Sequence, residues 1–173
     1  MDSLDLLPTE LAAAVRQVFE PHGMAWSNPV AEPESAGYSA FALAIDGRST
    51  RFRVAKTTPT KAGQFATLWQ RSDAGPTRPF DVSDGVELFL VSVAGSGQCG
   101  LFVFPLDELV RRSVVSTGMA GGKRAMRVYP PWVEPASKQA AATQTWQCRW
   151  FLPLDGDGSS AVDAVRVREL FHS

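Results

Sequence analysis

The chain has 173 residues, 45% apolar and 20% charged, with a net charge of −1 and a pI near 6.1, a globular balance long enough to bury a core. No uninterrupted apolar run approaches the roughly 18 residues that span a bilayer, and the acidic opening "MDSLDLLPTE" lacks the basic and apolar regions of a signal peptide. Cys99 and Cys148 stand in segments that read as strand and helix, without a C-x-x-C spacing, so reduced thiols in a cytoplasmic protein are expected.

In chain order, residues 9–20 predict an amphipathic helix with Thr9 as N-cap, an apolar stripe of Leu11, Val15, Val18 and Phe19, and a stop at Pro21 and Gly23. Residues 24–37 read as loop. "YSAFALAIDGRSTRFRVAK" predicts two strands around an Asp46-Gly47 turn. In the first, Phe41, Leu43 and Ile45 share a face. In the second, Phe52, Val54 and Lys56 do, with Arg51 and Arg53 opposite. "GQFATLW" suits a third strand or a short helix, and residues 72–85 form a turn-rich connection. "VELFLVSV" and "GLFVFP" predict a hairpin through "AGSGQC". A short helix is expected from Asp107 to Arg112, a flexible loop from Gly118 to Gly122, and then the strand "RAMRVYP". Residues 137–150 predict a long helix capped by Ser137. The tail, 152–173, holds the turn "DGDGSS" and a last helix. Together these predict one α/β (α+β) domain, with a central mixed, mostly antiparallel sheet flanked by helices.

The charges are segregated. Residues 1–46 hold seven acids and one base, and residues 73–108 hold six acids and one base. Residues 47–72 hold six bases and no acid, and residues 109–149 hold seven bases against Glu134 alone. Two arrangements follow: the basic segments meet in a cationic face that attracts polyanions, or each pairs with an acidic segment.

Catalytic patterns are sparse. His22 and His172 have no partnered Ser or Cys, and no G-x-S-x-G occurs. "GGKRA" fails as a phosphate loop, with Thr117 where the first glycine belongs and Arg124 after the lysine. "DGDGSS" fails as a calcium loop, because its twelfth position is Arg166. A metal-dependent nuclease site of the (D/E)-x-K kind needs an acid two residues before a lysine. Before Lys56, Lys61, Lys123 and Lys138 stand Val54, Pro59, Gly121 and Ala136. Only distant carboxylates such as Asp84 and Glu87 are left to build an atypical set.

The residues that remain suit holding an anion. Arg51, Arg53, Lys56, Lys61, Arg71, Lys123, Arg124 and Arg127 are candidate phosphate contacts. Trp69, Tyr129, Trp132, Trp146 and Trp150 are candidate stacking platforms for unpaired bases, with Trp132 displayed by the rigid "YPP" segment. Gln144 and Gln147, on one face of a helix at i and i+3, are candidate donors to a backbone or base.

"FRVAKTTPTKAGQFATLWQR", "GLFVFP", "GGKRAMRVYPPW" and "KQAAATQTWQ" together resemble the MepB-like family of small bacterial proteins, over about Tyr38 to Phe151. That resemblance implies a fold similar to the PD-(D/E)XK, restriction-endonuclease-like proteins without their acidic catalytic set. It also implies nucleic-acid binding through a surface built or supported by Arg53, Lys56, Thr58, Pro59, Lys61, Trp69, Lys123, Arg127, Tyr129, Pro130, Trp132, Gln144 and Trp146. The expectation is a non-catalytic binder of RNA or single-stranded DNA, with no catalytic residue, metal, cofactor or membrane. The alternatives are a nuclease with an atypical carboxylate set, and a sensor of a small anionic ligand or regulatory partner.

Overall fold

Two tight turns set the register of the main sheet in the computed structural model, which describes residues 3–71, 75–156 and 162–172. At Asp46-Gly47 and Ser96-Gly97 both residues of each pair take positive φ (49° and 79°, 51° and 73°), the backbone that matches a two-residue loop to the twist of its strands. The sheet has six strands: β1 (Val30–Ala31), β2 (Phe41–Ile45), β3 (Arg48–Val54), β8 (Leu88–Gly95), β9 (Gln98–Pro105) and β11 (Phe151–Leu154), in that spatial order. Only β3 and β8 run parallel. The predicted mixed, mostly antiparallel sheet with flanking helices is present in a single mixed α+β domain.

Both faces of this sheet are covered. Leu43, Ile45, Phe52, Leu88, Leu90, Leu101 and Val103 point to one side. There they meet the N-terminal helix α1 (Thr9–Ala14), its π-helical continuation Val15–Phe19, and the C-terminal helix α4 (Ala164–Phe171). The predicted stripe Leu11, Val15, Val18 and Phe19 is fully buried. Thr9 is not the N-cap: Pro8, with φ −54° and ψ 147°, takes that place and no side chain caps the end. Proline lacks the N–H of an extended cap residue and suits the start of a helix, which moves Thr9 into the first turn.

On the other side Phe89, Val91, Val93, Phe102 and Phe104 meet a second layer. It consists of a three-stranded sheet, in the order β10 (Ala125–Val128), β5 (Gln64–Thr67), β4 (Lys56–Thr57), and of the pair β6 (Trp69–Arg71) and β7 (Thr77–Pro79). Helices α2 (Leu106–Arg111) and α3 (Lys138–Cys148) complete it. "GQFATLW" is therefore strand, and the expected loop of residues 24–37 includes β1 and the 3-10 turns of Pro33–Tyr38. The "DGDGSS" turn lies mostly outside the described residues.

Candidate functional site

The second layer decides what happens to the basic residues. In β3 the face opposite Phe52 looks into that layer, not into solvent. Arg53 is fully buried there: Nη1 donates to Glu32 at 2.7 Å and Nε to the Thr67 carbonyl at 3.0 Å. Arg51 is half-buried, with Nε 3.7 Å from Glu32 and its guanidinium over the Phe80 ring, as is that of Arg53. An acid from the first segment thus pairs with bases of the second. The strand alternation that separates these arginines from Phe52 is as expected, but the face they occupy is an interior one.

Other candidates separate as well. Lys56 is exposed on β4, with Nζ 4.6 Å from the centre of the Tyr38 ring. Trp69 is half-buried in β6 opposite Pro79. The Arg71 side chain lies outside the described residues. Arg124 is exposed immediately before β10, and its carbonyl accepts a bond from Leu68.

The two basic segments do meet at one place. A cleft of about 630 Å³ is lined by Lys61 from the loop before β5, by Lys123 and Arg127 at β10, and by Arg112 just after α2. Tyr129, Trp146 and the first turn of α3, including Ser137, Gln139 and Ala140, complete the wall. None of the lining residues is an acid.

Local chemistry builds this cleft. Arg127 Nη1 donates to Thr58 Oγ1 at 3.0 Å and to the Ala62 carbonyl at 3.3 Å, which folds the 58–63 loop against β10 and brings Lys61 to the rim. Gly63, with φ of +81°, lets the loop lie on Tyr129: an added Cβ would stand 2.7 Å from the Val128 carbonyl and 2.8 Å from the Tyr129 ring. Helix α3 starts as predicted, with Ser137 Oγ accepting the Ala140 N–H at 3.0 Å. Gln147, wholly buried, accepts the Tyr129 N–H at 2.8 Å and donates to the Arg127 carbonyl at 3.0 Å. Gln144 donates to the carbonyls of Pro130 and Val133 at 3.0 and 2.8 Å. Both glutamines serve the protein backbone, holding α3 to the end of β10 and the loop beyond it.

Charge in the cleft is only partly met. Arg112 donates to Glu108 at 3.2 Å and lies over the Trp146 ring at 4.9 Å, while Arg111 shares the same Glu108. Two guanidinium groups therefore divide one carboxylate. Lys61, Lys123 and Arg127 have no carboxylate partner among the described residues. With the positive end of the α3 dipole beside them, an anion entering here meets uncompensated charge from several directions.

Two smaller depressions lie in series beside this lobe. One, of about 460 Å³, shares Lys61 and includes Gln64, Glu134 and Trp132. The next, of about 320 Å³, shares Trp132 and includes Phe151, Pro153 and Asp155. Trp132 is half-buried, its ring edge-on to Phe151 at 5.8 Å. Trp146 packs on Phe104 at 5.6 Å and reaches the cleft from below.

The turn leading into Lys123 is tied down by Asp81. Its carboxylate accepts from the Ser83 hydroxyl and N–H, the Ser116 hydroxyl and the Met119 N–H, at 2.6 to 2.9 Å. These bonds, that of the Ser83 hydroxyl foremost, hold the carboxyl well below the usual carboxylate range. The Arg78 fork does the same for Asp84, which also accepts from Gln70 and the Asp81 N–H. Glu87 accepts the Ser49 N–H. Among the described residues no three His, Cys, Asp or Glu side chains are grouped to hold a metal ion. Both cysteines are free thiols, pushed above their ordinary pKa by burial, Cys99 also by the charge of Asp155.

Sequence reasoning did not single out Arg112 or the start of α3. Arg112 stands one turn after Glu108, a spacing that reads as a self-neutralised helix pair. Only the shared use of Glu108 by Arg111 and Arg112 shows the surplus.

These features define a small single-domain α+β protein, its sheet clad on both faces and a cation-lined cleft in the second layer. The chain belongs to the MepB-like family, whose model matches residues 32–153. A crystal structure of MepB is similar at 32% identity with a TM-score of 0.71, covering 74% of this chain and 86% of that one. No curated protein matches the sequence.

Proposed function

We propose that this protein binds single-stranded nucleic acid through the cleft between the 58–63 loop, β10 and α3, without cleaving it. The observation that carries the reading is the meeting of Lys61, Lys123 and Arg127 in a cleft lined by no acid. Phosphates supply the missing negative charge and release counterions as they dock. Tyr129, Trp132 and Trp146 lie along the same surface, and rings there favour unpaired bases, since duplex bases are already stacked. Arg53 belongs to the scaffold, and so do Gln144 and Gln147.

A nuclease-like ancestry with a lost centre suits the same residues. Asp84 and Glu87, the carboxylates available for an atypical set, are engaged by Arg78, Gln70 and Ser49. One observation favours a second reading: a lobe of about 630 Å³ falls in the size range of small-molecule pockets, so a small phosphate compound is the rival ligand.

Fluorescence anisotropy with labelled RNA, single-stranded DNA and duplex of equal length tests the proposal. Single strands should bind more tightly than duplex and more tightly than a mononucleotide, which offers only one base. Preference for duplex would remove it, and thermal stabilisation by a mononucleotide alone would favour the rival.

A further inference from the structure

The cationic part of this surface is concentrated, and its shape says which part of a strand belongs there. A site that follows the middle of a strand spreads its cations at the spacing of successive phosphates. Here four cations line a single lobe instead. Lys61 enters from the loop, Lys123 and Arg127 from the β10 side, and Arg112 from the end of α2, around one lobe walled by the first turn of α3. Beyond Lys61 the character changes: the next depression carries Glu134 and the one after it Asp155. Those carboxylates leave the continuation without the lobe's surplus positive charge, whereas Trp132, which both depressions share, offers an aromatic wall to a base.

An internal phosphodiester carries one negative charge and two free oxygens. A terminal phosphomonoester carries close to two charges near neutral pH and three strong acceptor oxygens. The monoester is the better match for cations arriving from several sides, because each can find its own oxygen. We infer that the lobe formed by Lys61, Lys123, Arg127 and the start of α3 captures the terminal phosphomonoester of a nucleic-acid strand, with the following nucleotides leaving past Lys61 towards Trp132. This inference rests on the nucleic-acid reading above and narrows it from strands in general to phosphorylated strand ends.

The test uses the full-length protein and one short single-stranded sequence in four forms: 5′-phosphorylated, 3′-phosphorylated, unphosphorylated and circular. Anisotropy competition ranks them. One phosphorylated end should bind about tenfold or more better than the unphosphorylated and circular forms, since it adds charge-assisted bonds. Comparing the 5′ and 3′ forms identifies the end that is read. Lys123→Ala, at an exposed position, should reduce the preference to about twofold or less, while Arg149→Ala, an exposed cation outside the cleft, should keep it. Equal binding of all four forms would overturn end capture and leave strand binding standing. Binding of none of them would overturn the reading on which it rests. A preference that survives Lys123→Ala unchanged would also overturn the assignment of the lobe.

Discussion

Replacing Glu32 with alanine should unfold the protein far more easily than removing any cleft lysine. Arg53 is fully buried and Glu32 is its ion-pair partner at 2.7 Å; the same carboxylate is 3.7 Å from Arg51. Without it, the buried Arg53 loses its 2.7 Å carboxylate contact and Arg51 its nearest carboxylate, with both guanidinium groups close to one phenylalanine, Phe80. Breaking a buried ion pair by removing one partner costs about 3–5 kcal/mol. In a chain of this size each kcal/mol lowers Tm by about 2–4 °C, so a fall of about 6–20 °C is expected. Urea unfolding followed by tryptophan fluorescence should show the midpoint drop with unchanged slope. Because the pair is inside the fold, added salt should recover little of the loss. Lys61→Ala and Lys123→Ala, at exposed positions, should stay within about 0.5 kcal/mol of the parent. A Glu32→Ala loss below about 1 kcal/mol would mean that Arg53 reaches water, and the division between scaffold and ligand cations would fail.

Gln147→Leu removes a buried amide that serves the Tyr129 N–H and the Arg127 carbonyl, so it should cost about 2–4 kcal/mol. It should also weaken oligonucleotide binding, because β10 loses its hold on α3; intact stability on denaturation would contradict this. Acid stability should follow Asp81 and Asp84, whose carboxyls titrate below their ordinary value of 3.8. Lowered folded-state values mean the contribution is fully present above about pH 4 and is lost as pH falls through the lower folded values. Asp81→Asn should therefore flatten the acid limb of a stability–pH profile while leaving the limb above neutrality unchanged.

The four central strands of the sheet, β2, β3, β8 and β9, were legible because their signals are local. Asp46-Gly47 and Ser96-Gly97 sit between apolar runs, and Ser137 precedes a helical composition. In the second layer β10, α2 and α3 were legible and β5 was left between strand and helix, but β4, β6 and β7 were not. Its strands β4 to β7 are two to four residues long, too short for alternation to register, and without them the Arg51 and Arg53 face of β3 looks solvated. That one omission turned a buried arginine into a surface candidate. Lys61, Lys123 and Arg127 were named from charge segregation and from the family resemblance. Their meeting depends on Arg127 holding the 58–63 loop, a bond between residues 69 positions apart in sequence that no local pattern encodes. The roles of Gln144 and Gln147 were equally hidden, since a helix-face glutamine reads the same whether it faces a base or a backbone.

Whether the cleft holds a phosphate chain is decided by the salt dependence of oligonucleotide affinity for the parent protein and for Lys61→Ala/Lys123→Ala. Each phosphate charge neutralised on a single strand contributes about 0.7 to the slope of log affinity against log salt, so losing the two lysine contacts should flatten it by about 1.4. The double variant should bind weakly with that shallower slope. Parallel slopes for the two proteins, or a parent affinity indifferent to salt, would place the phosphates elsewhere on the molecule.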